Sequence, residues 1–450
     1  MNRKALEDLQ IWKSSNNRKP LILRGARQVG KTTLVHQFSS EYKQYIYLNL
    51  ERPEDVLFFN SLDNVKEIVE SLFLRYELAP DYPNTLLFID EIQESPKAIA
   101  LLRYFYEDLP QLHVISAGSL LEFALHQVRS FPVGRVTYMY LFPLNFVEFL
   151  DACDKQLARK ALLQVPLSST AQNTLYNLFH TYALIGGMPE VVSKYIENNS
   201  IIGLKEVYGS IWETYKSDIR KYARNTNEEK VIIHIMSSAF NFLDKRVTFQ
   251  GFGNSNYKSR EVGEAFRSLD EAKVIQMIYP TTEVEIPVIS DFRKKPRLQF
   301  LDIGLVNYGL NLQHELIGLK DLSSAYKGSL ITQLITQELI STTKFNFHKP
   351  HFWVKEKKQS SAEVDLVIPF GGLLIPIEIK SGPIGKLRSL HQYMEQCPHE
   401  FAVRMYAGEI EINAVQTPNG KKFKLLNLPY FLGTQIEAYL DWFLKLNIES

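Results

Sequence analysis

Between residues 20 and 150, short apolar runs of β-favouring residues alternate with stretches of helical periodicity. Leu21-Ile22-Leu23, Tyr45-Ile46-Tyr47-Leu48, Leu86-Leu87-Phe88-Ile89 and Val114-Ile115 are the predicted strands. Alternation of this kind predicts an α/β fold built on a parallel sheet. From about 150 to 245 the strand signal fades and helical periodicity takes over, broken at Gly186-Gly187-Met188-Pro189, which reads as a turn. Residues 246–310 give two helices and then two short strands, Val274 to Tyr279 and Arg297 to Leu301, separated by a polar segment. That is the order of a winged helix-turn-helix. From about 325 a helix runs through Ile340, followed by strands at 351–355, 363–369 and 373–380. The predicted divisions are 1–150, 151–245, 246–320 and 321–450, with no internal repeat or low-complexity tract.

Composition narrows the class. The chain has 450 residues, 45% hydrophobic and 22% charged, which excludes a fibrous or wholly disordered protein. Fifty-one basic residues against 50 acidic ones give a net charge of +1, so any basic surface must be local. Cys153 and Cys397 are the two cysteines; they stand in no metal-ligand spacing and favour a reducing compartment. Glu7 and Asp8 fall where a secretory signal needs an apolar stretch, and no window approaches the roughly 18 apolar residues of a membrane span. A soluble, cytoplasmic protein without membrane partners is expected.

The sharpest chemical signal is Gly25-Ala26-Arg27-Gln28-Val29-Gly30-Lys31-Thr32, the P-loop pattern GxxxxGK[ST], followed by Thr33. It stands after a predicted strand and before a helix-compatible segment, the context the motif requires. Its glycines let backbone N–H groups and the helix N-terminus face phosphate, Lys31 reaches the β and γ oxygens, and Thr32 ligates Mg²⁺. ATP and Mg²⁺ are the expected ligands. The apolar run Leu86 to Ile89 ends in Asp90-Glu91, which places Asp90 on the Mg²⁺ shell and Glu91 where it orients the attacking water. After the next strand, Ser119 is the candidate sensor of the γ-phosphate, the position an additional strand gives to a polar group. Arg135, after Gly134, is the candidate finger for transition-state charge, in cis or from a neighbour in a homo-oligomer.

Together, Gly25 to Leu34, Leu86 to Glu91, Ala117-Gly118-Ser119, Gly134-Arg135, Phe142 to Phe146 with Glu148, and Gly186 to Glu190 resemble a bacterial and archaeal group of AAA-type ATPases with an uncharacterised C-terminal domain. The resemblance continues through Lys295 to Leu298, Phe300 to Leu305, Gly328 with Glu338-Leu339, and Ala362 to Asp365, and so covers nearly the whole chain. It implies an AAA-type P-loop core and places Gly186 to Pro189 in a helical lid near the nucleotide. One departure is Thr332, where such proteins usually carry a glutamate.

Asp365, Glu378 and Lys380 form the pattern D-x(12)-E-x-K of metal-dependent PD-(D/E)xK nucleases. Period-two alternation sends Glu378 and Lys380 to one face of a strand, and a Gly371-Gly372 turn brings Asp365 alongside. The two carboxylates suit Mg²⁺, Lys380 would act on the hydrolytic water, and Glu363 is an additional acid. Lys258 and Arg260, opening a helix to about Ala272, with Lys294, Lys295 and Arg297 on the wing, form a candidate DNA surface that Lys216, Arg220, Lys221 and Arg224 would extend. His36, His113 and His234 lie in no ligand spacing. The sequence thus supports an ATP-hydrolysing machine that acts on DNA through a winged helix and a nuclease-like domain. The alternative is a nucleotide-dependent switch or interaction protein whose nuclease-like domain is an inert docking platform.

Overall fold

The computed structural model describes residue 1 and residues 3–119, 134–312, 328–343, 349–356, 362–380, 382 and 387–446. The expected boundary at 320/321 lies outside the described residues. The first sheet comprises β1 (Leu21–Arg24), β2 (Gln44–Asn49), β3 (Thr85–Asp90), β4 (His113–Ala117) and β5 (Thr137–Tyr140), all parallel, in the order β2-β3-β4-β1-β5. β3 and β4 are buried at every position, which is why they read as continuous apolar runs. β4 separates β1 from β3 and is the additional strand. The pairings Leu23 with Ala117 and Ile89 with Ser116 bring the chain leaving β1, β3 and β4 to one rim of the sheet.

The pleat divides each strand between two cores. Leu21, Leu23, Leu86 and Phe88 enter a core that continues through the helical segment into the C-terminal sheet, whereas Ile22, Leu87 and Ile89 enter a second core confined to the α/β unit. Residues 151–245 are helical as expected, with Ser169–Ile185, Pro189–Asn198, Leu204–Ser217 and Thr226–Ser238 the main helices.

The helix Ser259–Glu271 is followed by β6 (Ile275–Ile278) and β8 (Arg297–Phe300), near the two expected strands, which pair antiparallel. The connection between them is not a free wing. Its β7 (Pro280–Thr281) pairs parallel with β9 (His351–Val354) and becomes the edge of a seven-stranded sheet. Trp353 Nε1 donates to Thr282 O at 3.1 Å, and Val284 and Val288 pack against the cluster containing Trp353 and Tyr393. Two exposed valines would otherwise face water, so burial draws the segment onto the neighbouring sheet.

That sheet continues with β10 (Glu363–Phe370), β11 (Leu373–Ile379), β12 (Phe401–Tyr406), β13 (Glu411–Gln416) and β14 (Lys422–Pro429), in the order β13-β14-β12-β11-β10-β9-β7. β10 and β11 form the expected hairpin, closed by Gly371 and Gly372 at φ +57° and +81°. Both positive φ values belong to a two-residue hairpin turn, a conformation glycine adopts without steric cost. Among the described residues no helix is long and apolar enough to cross a membrane.

Candidate nucleotide site and its connection to the C-terminal sheet

The loop from Gly25 to Gly30 turns tightly because Gly25 and Gly30 take φ of +148° and +93°. A Cβ on Gly25 would lie 2.2 Å from Leu141 O, so no other residue fits there. The helix Lys31–Phe38 starts at the loop's end and aims its N-terminus at the rim. Lys31 is buried and donates to Gly25 O at 3.0 Å and Ala26 O at 2.8 Å. Burial pulls its pKa down to about 8, against the opposing pull of Glu91 and Asp90. The ammonium therefore remains mostly charged at neutral pH, held by carbonyls that a phosphate can replace.

Thr32 Oγ1 donates to Asp90 Oδ2 at 2.8 Å, which joins the two groups expected to share Mg²⁺. Burial raises the pKa of Asp90, and the hydrogen bond from Thr32 opposes the rise. Glu91 has φ +50°, a left-handed backbone rare for a non-glycine residue, and Gln93 Nε2 donates to its Oε2 at 2.6 Å. Sequence reasoning missed Gln93, although its place two residues beyond Glu91 could have drawn notice. Ser119 Oγ is buried with no hydrogen-bond partner among the described residues. Arg27, Lys31, Thr32, Glu91 and Ser119 line one cavity of about 490 Å³, closed on another side by Pro189 and Glu190. The Gly186–Pro189 turn thus lies against the phosphate loop, as the resemblance implied. These donors, with an orphaned hydroxyl facing them, fit a nucleoside triphosphate and its Mg²⁺.

Arg135 is elsewhere. It precedes β5 at the sheet end opposite the P-loop, is partly exposed, and pairs with Glu107 at 2.8 Å. With about 3.3 Å of rise per strand residue, the length of β1 alone keeps it out of its own site. This placement separates Arg135 from the P-loop of its own chain, where it pairs with Glu107 as a surface arginine.

A buried polar network joins the rim to the C-terminal sheet. Arg3 donates to Val29 O of the P-loop at 3.0 Å, to Phe142 O at 2.7 Å and to Glu148 at 3.0 Å. Glu148 and Asn145 form a capping box at the start of helix Phe146–Ala152. Phe146 N donates to Glu338 Oε2 at 3.0 Å, from the helix Gly328–Ser341 beneath the C-terminal sheet. Tyr182, Gln337 and Asp302 complete the cluster, and Asp302 Oδ2 accepts from Gly187 N at 2.7 Å. Burial raises the pKa of Asp302 to about 6 and that of Glu338 to about 8. Segments whose motifs are scattered along the sequence therefore converge in one hydrogen-bonded knot.

The C-terminal acids do meet, but around an internal cation. Ile379 N donates to Asp365 Oδ2 at 2.8 Å, and Lys380 pairs with Glu378. Arg297 is buried between Asp244, Glu363 and Asp365; its Nε donates to Glu363 at 2.7 Å. These anions hold the guanidinium pKa above its ordinary value despite desolvation, while burial raises Glu378 and Asp244 to about 8 and about 7. Among the described residues no cluster of three or more His, Cys, Asp or Glu is arranged to hold a metal. Of the two carboxylates expected to hold a metal, Asp365 accepts from Ile379 N and lies near Arg297, and Glu378 pairs with Lys380 through Oε1 while its buried Oε2 has no partner among the described residues. Thr332 is buried nearby and donates to Gly328 O at 3.1 Å.

The expected basic surface is also reduced. Arg297 is interior, and Lys294 pairs with Asp291. Lys258, Arg260 and Lys295 remain exposed, with Arg260 bound to Glu264 at 2.9 Å. Lys216, Arg220 and Lys221 pair with Glu213, Glu229 and Glu51, so they form no continuous cationic stripe. His113 is buried against Tyr42, and burial pulls its pKa down to about 3. His234 bonds Phe252 O, and His36 packs on Tyr45 and Tyr47.

Residues 17–150 match the family described as an AAA domain. With the parallel sheet and the P-loop, this supports an AAA-type P-loop domain over that stretch. Residues 176–316 and 327–431 match two domains of unknown function, DUF8612 and DUF4143. Among solved structures the chain is similar to the Walker-type ATPase PABY2304 of Pyrococcus abyssi, at 14% identity over 69% of this chain and 95% of that one, TM-score 0.44. It is also similar to PCH-2 of C. elegans, at 16% identity over 42% and 58% of the two chains, TM-score 0.25. No curated protein matches it.

Proposed function

We propose that this protein is a Mg²⁺-dependent ATPase whose nucleotide state is transmitted to a nuclease-like but catalytically silent C-terminal platform. The observation that carries the ATPase reading is the convergence of Lys31, Thr32, Glu91 and the unpartnered Ser119 hydroxyl on one cavity, with Asp90 hydrogen-bonded to Thr32. Thr32 and Asp90 would hold Mg²⁺, which would neutralise phosphate charge. Lys31 binds the β and γ oxygens, Ser119 donates to the γ-phosphate, and Glu91 orients water and accepts its proton. ATP turnover by the purified protein, with and without Mg²⁺, tests this; no turnover and no nucleotide binding in Mg²⁺ would refute it.

For the C-terminal domain, the hairpin that brings Asp365 beside Glu378 supports a PD-(D/E)xK-like fold, and Arg297 among its acids favours the docking-platform reading over cleavage. DNA is the candidate partner of the exposed Lys258, Arg260 and Lys295. Arg135 would act only between subunits of a homo-oligomer.

A further inference from the structure

We propose that Arg27, within the P-loop itself, supplies transition-state charge in cis, and that Asp218 from the helical segment is its positioning residue. The inference rests on the ATPase reading above and assigns the cationic role that the placement of Arg135 leaves vacant within a subunit.

Arg27 lines the cavity together with Lys31, Glu91 and Ser119. One guanidinium nitrogen, Nη1, donates to both oxygens of Asp218, at 2.8 and 2.9 Å. Nε and Nη2 have no partner among the described residues, so three N–H donors remain for a ligand. Asp218 is almost fully buried at the end of helix Leu204–Ser217, and its only charged partner among the described residues is Arg27. Tyr215, one turn earlier, donates to Arg27 O at 2.7 Å and fixes the loop backbone from the same helix. A guanidinium held at one end and open at the other is preorganised, so it loses little entropy on meeting an anion.

A purely structural clamp would use the remaining donors as well, as Arg3 does with Val29, Phe142 and Glu148. Arg27 does not. In the reaction, water oxygen attacks the γ-phosphorus as the bond to the β,γ-bridging oxygen breaks. The bond electrons leave on ADP, and the water proton passes to Glu91. Charge grows on the bridging and β oxygens, where Arg27 is placed to donate.

The test measures steady-state turnover and fluorescent-nucleotide binding on the full chain, with melting curves to verify folding. Arg27→Ala should lower kcat by about 10³-fold with ATP affinity changed much less, on the scale of an arginine finger. Asp218→Asn should lower kcat, and the double variant Arg27→Ala/Asp218→Asn should be no slower than Arg27→Ala alone, since Asp218 acts through Arg27. Mixing Arg27→Ala with Lys31→Ala subunits should restore nothing. If Arg27→Ala does not fold, Arg27→Gln is read in its place. Wild-type kcat in Arg27→Ala, additive losses in the double variant, or recovery on mixing overturns the proposal while an active wild type leaves the ATPase reading intact. A wild type that neither binds nor hydrolyses ATP removes both.

Discussion

Tyr182 Oη lies 2.6 Å from Glu338 Oε1 and 2.9 Å from Leu144 O. One phenolic proton cannot serve both oxygens. With Glu338 protonated, its hydroxyl donates to Tyr182 Oη while the phenol donates to Leu144 O, and Glu338 Oε2 still accepts from Phe146 N. Burial pushes this acid up to about 8, and a protonated Glu338 would resolve the contest for the phenolic proton. A neutral group avoids the cost of a buried charge at the junction of three segments.

This gives a pH prediction. Burial raises the folded pKa of Glu338 to about 8, whereas a carboxyl in the unfolded chain titrates near 4.3. The contribution is full below about pH 4.3 and is lost as pH rises through about 8. Glu338→Gln keeps a neutral side chain throughout, so its melting temperature should fall less than wild type between pH 5 and 8. Asp302 and Glu148 face the same cluster and remain in both proteins, so the difference isolates Glu338. Parallel curves would refute a protonated Glu338.

At the rim, Lys31 and Glu91 have separable tasks. Lys31→Ala should abolish nucleotide binding, because no other group donates an ammonium inside the loop. Glu91→Gln should bind normally but lose turnover by about 10² or more, since it retains shape and loses the capacity to accept a proton. Equilibrium binding with a fluorescent nucleotide, set beside phosphate release, distinguishes the two. Wild-type turnover in Glu91→Gln would remove its assigned role.

Arg297→Met should be strongly destabilising at neutral pH, by about 3 to 5 kcal/mol, because it leaves Asp244, Glu363 and Asp365 without their buried cation. Acid should recover part of the loss, since protonation relieves the repulsion among these carboxylates; Asp244, pushed up by burial to about 7 even beside Arg297, is driven higher still without it and takes its proton first. The wild type should cleave neither single- nor double-stranded DNA at millimolar Mg²⁺ or Mn²⁺. Cleavage that disappears in Asp365→Ala would instead restore the nuclease reading.

The exposed basic residues give a further test. If DNA binds at Lys258, Arg260 and Lys295, affinity should fall steeply with salt, and the triple alanine variant should flatten that slope by up to about three phosphate contacts. Unchanged affinity and slope would assign this face to protein contacts.

What the sequence reveals depends on how local the chemistry is. The P-loop, Asp90-Glu91 and the glycine hairpin are legible because neighbouring residues specify each of them. β5 was not, since Thr137–Tyr140 is an edge strand that buries only Met139 and shows no clear apolar run. The docking of the supposed wing depends on β9, some 70 positions later, and periodicity carries no information about such a pairing. For the same reason Arg297 reads as a surface cation, although its partners are Asp244 and the β10 acids. Glu338 enters through resemblance alone, because a single acid in an apolar helix gives no hint of the tyrosine it meets.

Gly187 offers the most direct test of whether the buried knot links nucleotide to platform. Its N–H donates to Asp302 and its carbonyl accepts from Leu144 N at 2.7 Å, so both of its backbone groups are committed. An added Cβ would lie 1.9 Å from Leu144 O, a contact no rotamer relieves because backbone stands on both sides. Gly187→Ala must therefore move the turn away from Leu144, and the adjoining Pro189, 3.6 Å from the Cβ position of Gly30, must follow. The expected result is a loss of about 3 kcal/mol or more in stability and weaker nucleotide binding, although no residue that would touch ATP has changed. Hydrogen exchange should rise in Phe142–Phe146 and in helix Gly328–Ser341 together. Weakened binding with exchange confined to the turn would show that the lid acts alone and that the C-terminal platform does not sense the nucleotide through this route.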